Sequence, residues 1–403
     1  MIENILNMCY YACINSENVK KTQKERKGGR NMQKESLTKR MRRKILSAAL
    51  ALVLVLGLAA CGGSSDDAGS DSEGGSGESF SVGFALRTTN GAYYATIGDI
   101  ITEKCEELGW ECTVLDAGDD TTTELENMET LAASGVDLIF LDCVDPSAAT
   151  ASQKVAYDAG IPVINLDSGV DDMSMQVTTV YSNNEQNGLA VGQYYAESLD
   201  ESFEISAVLL SGNTGSIAGT QRRDGMIAGI IMQRTGCTEE EAWAAAEEME
   251  ESLVSSGKAS NADAKFTITG QGWGNWTIDE GLVAAEDLIT ANPDVNLVLA
   301  ENDPMLIGAL TALDNAGITY GTDGTVKLIS AADGSKDGYD AIKEGKILAI
   351  GENSPVKIAE LGMEIAEDIL VNGTDPDSYE DITMTEAAAV TAENVDEHYD
   401  YGF

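Results

Sequence analysis

Hydrogen-bonding side chains follow short apolar runs at several places in this sequence. Residues 136–141, for example, form an apolar run that stops abruptly on an aspartate. The side chains that come at or just after the ends of such runs are Asp142, Asp167, Asn302, Asp333 and Ser354. Carboxylates, amides and hydroxyls can hold a ligand through hydrogen bonds. Their recurrence at run ends therefore indicates a ligand site and raises the question of which elements position them.

The apolar runs and the segments between them predict alternating strands and helices. A run of six residues, such as 136–141, is too short for a membrane span and predicts a strand buried on both faces of a parallel sheet. Between the runs, Ile97, Ile101 and Leu108 recur at helical spacing and predict an amphipathic helix over residues 94–108. Regular alternation predicts right-handed βαβ units, in which ligands bind outside the carboxyl ends of the strands.

The alternation breaks at residues 178–188, which we interpret as a hinge and a domain boundary, and then restarts. Glycine-rich loops are expected at residues 211–219 and 270–276. Thr238 with Glu241 fits a capping box at the start of an acidic helix. The predicted fold class is α/β, with two Rossmann-like lobes built on parallel sheets that follow one another in the chain.

The charge distribution limits the possible partners. The chain has a formal net charge of −43, although its first 60 residues hold 12 Lys or Arg against 4 Asp or Glu. From Cys61 onward there are 13 basic and 64 acidic residues, a net charge of −51. Such a surface repels nucleic-acid phosphates and anionic lipid head groups. We therefore exclude DNA and RNA as ligands.

The beginning of the chain has the order of an export signal. Residues 41–44 are basic, residues 45–58 are apolar, and small residues then precede Cys61. This order resembles the bacterial lipobox, in which the cysteine is lipidated and becomes the mature N-terminus. A plain signal peptide with an incidental cysteine is the alternative.

This interpretation divides the first 79 residues into two parts. Residues 1–60 would be a cleaved extension and signal peptide, with translation starting at Met32 or Met41. Residues 61–79, rich in Gly, Ser and acidic residues, would form a flexible tether. The lipid on Cys61 would then be the only attachment to the membrane.

Cysteine and histidine usage argues against several kinds of site. No CxxC pair occurs, so neither a zinc ribbon nor a thioredoxin-like site is supported. Cys105 and Cys112 could be bridged, but Cys105 falls on an apolar helix face, and we expect it to be a small buried hydrophobe. The sole histidine, His398, lies in the tail, which excludes a His-dependent triad and a multi-His metal site. We expect no enzyme activity, no metal and no cofactor.

Several separate segments resemble the motifs of a known family. They are Ile-Pro-Val-Ile-Asn-Leu-Asp at 161–167, Ala-Asn-Pro-Asp-Val at 291–295 continuing through Glu-Asn-Asp-Pro-Met at 301–305, Asp-Gly at 333–334 with Gly-Lys at 345–346, and Val-Thr-Ala-Glu-Asn-Val at 390–395. From Ser81 to its end the chain resembles the type I periplasmic binding proteins, in the ribose/galactose-binding branch that feeds ABC sugar transporters.

The resemblance implies a monomeric solute-binding lipoprotein that delivers a monosaccharide to a membrane permease. The first lobe would comprise residues 80–182 plus 355–382, and the second lobe residues 183–354 plus 383–403. The ligand would lie between the lobes, which would close over it by hinge motion. The protein would be lipid-anchored outside the cytoplasmic membrane of a bacterium.

The resemblance also implies the residues that contact the ligand. In the first lobe, they are Asn90, Tyr93, Tyr94, Asp142 and Asp167; in the second, they are Arg222, Trp276, Asn302 and Asp333, with Ser354 at a crossover. Arg223, Trp273 and Asn353 are the respective alternatives to Arg222, Trp276 and Ser354. Structural roles compete with these assignments: a core tyrosine, a helix cap for Asp142, Asp167 or Asn302, and an ion pair for either arginine.

Departures from the family pattern leave the ligand open. Ser168 stands where ribose-type members carry Arg, Ser216 where glucose/galactose-type members carry His, and no calcium-loop pattern occurs. A lining rich in carboxylates suits a neutral polyol and would repel a sugar phosphate. A nucleoside, a polyol or a furanosyl signal molecule remains the alternative ligand. A glycosidase fits a parallel two-lobed body poorly, and a DNA-binding repressor of this fold would carry a helix-turn-helix where the lipobox stands.

Overall fold

The computed structural model describes residues 79–403. The predicted signal segment, the predicted anchor Cys61 and the tether up to residue 78 lie outside the described residues. Within residues 79–403, no helix has both the length and the apolar character that crossing a membrane requires.

Strands and helices alternate through most of the described chain. The strands are β1 (Ser81–Leu86), β2 (Glu111–Asp116), β3 (Leu138–Leu141), β4 (Val163–Leu166), β5 (Thr178–Tyr181), β6 (Ile205–Ser211), β7 (Ala259–Asn261), β8 (Phe266–Trp273), β9 (Leu297–Ala300), β10 (Lys327–Ser330), β11 (Ala349–Gly351), β12 (Ile382–Met384) and β13 (Ala389–Thr391). The helices are α1 (Ala92–Leu108), α2 (Thr121–Ser134), α3 (Ala149–Ala159), α4 (Asn184–Glu197), α5 (Ile217–Thr235), α6 (Glu239–Ser256), α7 (Ile278–Ala291), α8 (Asp303–Ala316), α9 (Lys336–Lys343), α10 (Pro355–Leu370) and α11 (Val395–His398).

The chain divides into two compact units, each discontinuous in sequence. Unit 1 comprises the described residues up to Tyr181 together with Ala359–Thr383, and unit 2 comprises Ser182–Ile358 together with Met384–Phe403. Helix α10 begins in unit 2 and continues in unit 1, so the chain passes between the units three times.

Unit 1 is built on a six-stranded sheet in the order β12-β5-β4-β3-β1-β2, in which β1 to β5 pair in parallel. Strands β3 and β4 are buried along their whole length, as expected for short apolar runs in a parallel sheet. Helix α1 turns Ile97, Ile101 and Cys105 inward, which confirms that Cys105 is a buried residue. Edge strand β12 joins the sheet from the far end of the sequence, and the Thr179 amide donates to the Asp381 carbonyl at 3.0 Å.

Unit 2 is built on a seven-stranded sheet in the order β13-β11-β10-β9-β6-β8-β7. The five inner strands pair in parallel, while the edge strands β7 and β13 pair antiparallel to their neighbours. Successive residues of β6 alternate between two cores: Leu209 packs with helices α4, α5 and α6, and Leu210 packs with α7, α8 and α9. The sheet is therefore covered on both faces around its centre, which explains why the central strand β9 is apolar and buried along its whole length.

The predicted α/β class with parallel sheets is confirmed, and so is the capping box of Thr238 and Glu241. The division between the units, at Tyr181 and Ser182, falls within the segment 178–188 that was predicted as a hinge and domain boundary. Two local details were wrong: the first four residues of that segment form β5, which pairs with β4, and the predicted loop 270–276 continues β8 as far as Trp273. Pairing with a neighbouring strand stabilises both segments although neither is a continuous apolar run.

Candidate ligand-binding site

In unit 1, the carboxyl ends of β1, β3 and β4 bring together Arg87, Asp142 and Asp167, because these three strands are neighbours in the sheet. The Tyr93 hydroxyl of α1 donates to Asp167 Oδ1 at 2.7 Å. Tyr94 lies beside Tyr93 in an edge-to-face arrangement with ring centroids 5.4 Å apart. The sequence thus placed four of its predicted first-lobe residues at one edge of one sheet.

Arg87 is a component of this group that the sequence reasoning missed. Its guanidinium lies 5.4 Å from the centroid of the Tyr94 ring, and its Nε donates to Asp119 Oδ1 at 2.8 Å. Its position directly after β1, equivalent to that of Asp142 after β3, was the signal that could have identified it. Asn90, by contrast, lies exposed on the loop before α1, where its backbone amide donates to Thr88 Oγ1 at 3.1 Å.

Asp142 and Asp167 have different environments. Asp167 is partly exposed and adopts a left-handed backbone conformation, with φ 58°. Asp142 is fully buried, and neither of its carboxyl oxygens has a hydrogen-bond partner among the described residues. Burial and the nearby charge of Asp167 raise the pKa of Asp142 well above its ordinary value, against the opposing effect of Arg87.

In unit 2, Arg222 connects a second group of polar side chains. The Nε of Arg222 donates to Asn184 Oδ1 at 2.9 Å, and its NH1 lies 3.1 Å from Asp333 Oδ1. The guanidinium also lies 5.4 Å from the centroid of the Trp276 ring. Arg222 is therefore the arginine that reaches the predicted ligand residues, whereas Arg223 pairs with Glu301 and Glu250.

Asn302 and Asn353 complete this group, which we call the unit 2 cluster: Asn184, Arg222, Trp276, Asn302, Asp333 and Asn353. Asn302 Nδ2 lies 3.1 Å from the Trp276 carbonyl oxygen and 3.3 Å from Asp333 Oδ2. Asn302 also caps α8, since its Oδ1 accepts from the Met305 amide at 3.3 Å, so the structural role and the predicted site position coincide. Asn353 Nδ2 donates to Asp333 Oδ1 at 3.2 Å.

The structure favours Asn353 over Ser354, the residue that the sequence reasoning preferred. The Ser354 hydroxyl donates to the Tyr401 carbonyl at 2.7 Å and accepts from the Lys357 amide at 3.3 Å, at the start of α10. These bonds secure the C-terminal tail and the helix start. Asn184 was also missed; it is one of two adjacent asparagines within the predicted hinge, and nothing in the sequence singled it out.

Close packing fixes the Trp276 ring. A Cβ atom added to Gly212 would meet the ring at 1.9 Å, so only glycine fits at the end of β6. Trp276 itself has φ 66°, a left-handed conformation that is rare for a large side chain and typical of functional loops. Trp273 instead belongs to β8 and is 41% exposed, which leaves Trp276 as the aromatic residue of the cluster.

Asp303, a fully buried carboxylate, lies next to Asp333. It accepts hydrogen bonds from the backbone amides of Asp333 at 2.8 Å and Gly334 at 3.0 Å, and thereby fixes the turn that presents Asp333. Burial and the charge of Asp333 raise the pKa of Asp303 to about 6, against the effect of these hydrogen bonds. No group of three or more His, Cys, Asp or Glu side chains within residues 79–403 is arranged to hold a metal ion.

A family model described as a periplasmic binding protein domain matches residues 82–374. The chain belongs to this family. Membership implies an extracytoplasmic location and confirms the resemblance that the strand-end motifs indicated.

This periplasmic binding protein is similar in sequence to proteins named for sugar binding. It is 27% identical to the ribose import binding protein of Salmonella typhimurium over 289 residues, 72% of this chain and 84% of the relative. It is 25% identical to the ribose import binding protein of Bacillus subtilis over 328 residues, 81% of this chain and 93% of the relative. It is 26% identical to the galactofuranose-binding protein of Escherichia coli over 311 residues, 76% and 86% respectively.

Solved structures share its fold. A galactofuranose binding protein matches with a TM-score of 0.63 and 24% identity, over 80% of this chain and 97% of its own. The binding component of an arabinose ABC transporter from Shewanella sp. ANA-3 matches with a TM-score of 0.63 and 21% identity, over 79% and 94%. The predicted type I periplasmic binding protein fold is confirmed. The relatives named here are binding proteins.

Proposed function

We propose that this protein is the substrate-binding lipoprotein of an ABC importer and that it captures a pentose or hexose monosaccharide. The unit 2 cluster carries the proposal. A sugar presents hydroxyl groups that donate and accept hydrogen bonds, together with apolar C–H faces. Arg222, Asp333 and the asparagine amides match the hydroxyls, and the Trp276 ring matches a C–H face. The sequence relatives, which include proteins named for ribose and galactofuranose binding, support the same ligand class.

In this proposal the strand-end residues of unit 1 contact the same ligand. Tyr93 and Tyr94 supply aromatic surface, while Asp142 and Asp167 supply hydrogen bonds; Asn90 contributes from its exposed loop. The protein acts by binding and release to the permease, without a covalent step and without a cofactor or metal. We propose that it works as a monomer.

A thermal-shift screen tests the ligand class directly. The body from residue 79 to 403 would be screened against pentoses, hexoses, polyols, nucleosides and amino acids, with D-ribose, D-allose and L-arabinose as the first probes. A ligand at 100 times its dissociation constant stabilises the native state by about 2.7 kcal/mol, which raises the melting temperature measurably. We expect the largest shift from a monosaccharide.

Matched variants test the site. Trp276→Ala and Asp167→Ala should abolish the shift, whereas Trp273→Ala, which removes an exposed tryptophan of the neighbouring strand, should leave it intact. A shift seen with nucleosides alone, or with polyols or a furanosyl signal molecule alone, would replace the sugar by that alternative ligand. Equal losses in the Trp273 and Trp276 variants would contradict the assigned site.

We also propose that Cys61 carries the lipid that fixes the protein to the outer face of the cytoplasmic membrane. The basic, apolar and small-residue segments that precede Cys61 support this. In cells fed a radiolabelled fatty acid, the full chain should become labelled and sediment with membranes, and Cys61→Ser should lose the label. Labelling of the serine variant, or an unlabelled wild-type protein in the medium, would contradict the anchor.

A further inference from the structure

Asp142 is a buried carboxyl group with no structural task that the described residues reveal. It is fully buried, and both of its carboxyl oxygens lack a hydrogen-bond partner within residues 79–403. Buried polar groups nearly always have partners, because leaving one unsatisfied costs free energy. The residue directly after a strand often serves as a helix cap, but Asp142 does not; the turn before α3 is held instead by Asp145, which accepts from the Ser147 and Ala148 amides at 2.9 Å each.

The groups that face Asp142 are mostly negative. Asp167 faces it from the end of β4, Glu124 from α2 and Arg87 from the end of β1, with the neutral thiol of Cys143 next in sequence. Arg87 is the single cation among them, and it is already paired with Asp119 at 2.8 Å. Glu124 accepts from the Val144 amide at 2.6 Å and from the Ser152 hydroxyl at 2.5 Å.

This environment favours one charged carboxylate at the strand ends rather than two. Asp167 is partly exposed and receives the Tyr93 hydroxyl, so its charge is solvated and hydrogen-bonded. Asp142 has no hydrogen-bond partner within residues 79–403, and the nearby Ser168 hydroxyl opposes the rise of its pKa without outweighing burial and the charge of Asp167. Like charges on neighbouring strand ends disfavour ionisation of the less solvated group.

We propose that Asp142 binds the ligand as a neutral carboxylic acid. Its O–H group donates a hydrogen bond to a ligand oxygen, while Asp167 accepts a hydrogen bond from an adjacent ligand hydroxyl. A neutral acid offers one donor and one acceptor, as an asparagine amide does, and so suits a pair of neighbouring hydroxyls. A second carboxylate would offer acceptors alone. The inference rests on the proposed function, since it requires a ligand that carries hydroxyl groups. Binding then requires protonated Asp142 and weakens at alkaline pH.

Binding affinity as a function of pH tests the proposal. The dissociation constants of D-ribose, D-allose and L-arabinose would be measured by calorimetry between about pH 5.5 and pH 9.5 for the wild type, Asp142→Asn and Asp158→Asn. Above the pKa of Asp142, wild-type affinity should fall by up to tenfold per pH unit. Asp142→Asn, which keeps the shape and the donor, should bind with a flat profile. Asp158→Asn removes an exposed carboxylate of the same unit and should follow the wild type.

A second calorimetric measurement uses the wild-type protein. Calorimetry in buffers of different ionisation enthalpy should show the wild type taking up as much as one proton per sugar bound at alkaline pH and none at acidic pH. Absence of proton uptake at every pH, or a pH profile of Asp142→Asn that matches the wild type, would overturn the proposal.

Unfolding without ligand separates this inference from the proposed function. Because the pKa of the folded state is raised, the stability that protonation gives is present at acidic pH and is lost as pH rises from the ordinary aspartate value through the raised one. Wild-type stability should therefore fall relative to Asp142→Asn over that window. If the stabilities of the wild type and Asp142→Asn diverge with pH but no sugar binds, the proposed sugar-binding function is wrong. If sugars bind but the two stabilities change with pH in parallel, the proposal that Asp142 is a neutral acid is wrong.

Discussion

The pair of Arg222 and Asp333 offers a quantitative test of the unit 2 cluster. Its charged atoms are 3.1 Å apart, and the two side chains are only 8% and 13% exposed. Replacing Arg222 by methionine keeps the apolar stem of the side chain but removes the charge. It leaves Asp333 as a nearly buried carboxylate that retains only the amide groups of Asn302 at 3.3 Å and Asn353 at 3.2 Å among its cluster partners.

The expected cost follows from this geometry. Two unit charges 3.1 Å apart attract by about 5 kcal/mol at an effective dielectric constant of about 20, and desolvation of both groups offsets much of this. Removing one partner of a buried pair costs about 3–5 kcal/mol. Since two amides still solvate Asp333, we expect Arg222→Met to lower the free energy of unfolding by about 3 kcal/mol. The double variant with Asp333→Asn should cost less than the sum of the single variants, with a coupling energy of about 1.5–3 kcal/mol.

Equilibrium urea unfolding, followed by circular dichroism, measures these quantities. Lys154→Met is the matched control, because it breaks the ion pair with Asp158, whose side chains are 62% and 61% exposed. An exposed pair of this kind contributes about 0.5 kcal/mol or less. If Arg222→Met costs no more than Lys154→Met, or if the double variant is additive, Arg222 and Asp333 do not act as a buried, coupled pair.

Two further predictions concern the groups around this pair. Gly212→Ala should displace the Trp276 ring, which should change the tryptophan fluorescence and weaken sugar binding at least tenfold. The control Gly169→Ala, which has open space around its new Cβ atom, should change neither the fluorescence nor the binding. An unchanged fluorescence spectrum of Gly212→Ala would contradict the packing of Gly212 against Trp276. Asp303 should titrate near pH 6 in carboxyl ¹³C NMR of the folded protein, so its contribution to stability is lost as pH rises from about 4 through 6. Asp333→Asn removes the neighbouring charge and should move that midpoint down; a midpoint that does not move would exclude coupling between the two carboxylates.

The sequence predicted a strand that is a continuous apolar run and missed β5, which is not. The apolar run 136–141 was expected to be a strand, and β3 occupies Leu138–Leu141 within it, because a buried parallel strand must be apolar on both faces. Strand β5, with two threonines and a tyrosine in four residues, was included in the predicted hinge and domain boundary 178–188, since its stability comes from pairing with β4 and with β12, some 200 residues away, at the sheet edge. Such long-range pairing leaves no local periodicity to detect.

The location of the site could be predicted from the sequence, but the hydrogen bonds within it could be predicted less well. Strand ends drew attention to Asp142, Asp167 and Asp333 because ligands bind at that edge of a parallel sheet. The choice between Asn353 and Ser354 could not be made from the sequence, since adjacent residues point in different directions and the turn that decides between them depends on tertiary contacts. The burial of Asp142 was likewise unforeseeable, because it depends on the packing of separate elements around one carboxyl group.

The discontinuity of unit 1 has a consequence for how the polypeptide acquires its structure. Strand β12 closes the edge beside β5, and the hydroxyls of Thr178 and Thr383 lie 3.0 Å apart across 205 positions of sequence. A ribosome must therefore synthesise the chain as far as Thr383 before this contact can form. Contacts between distant residues slow folding because a long loop must close first. The emerging chain therefore cannot complete the sheet of unit 1 until β12 has been synthesised.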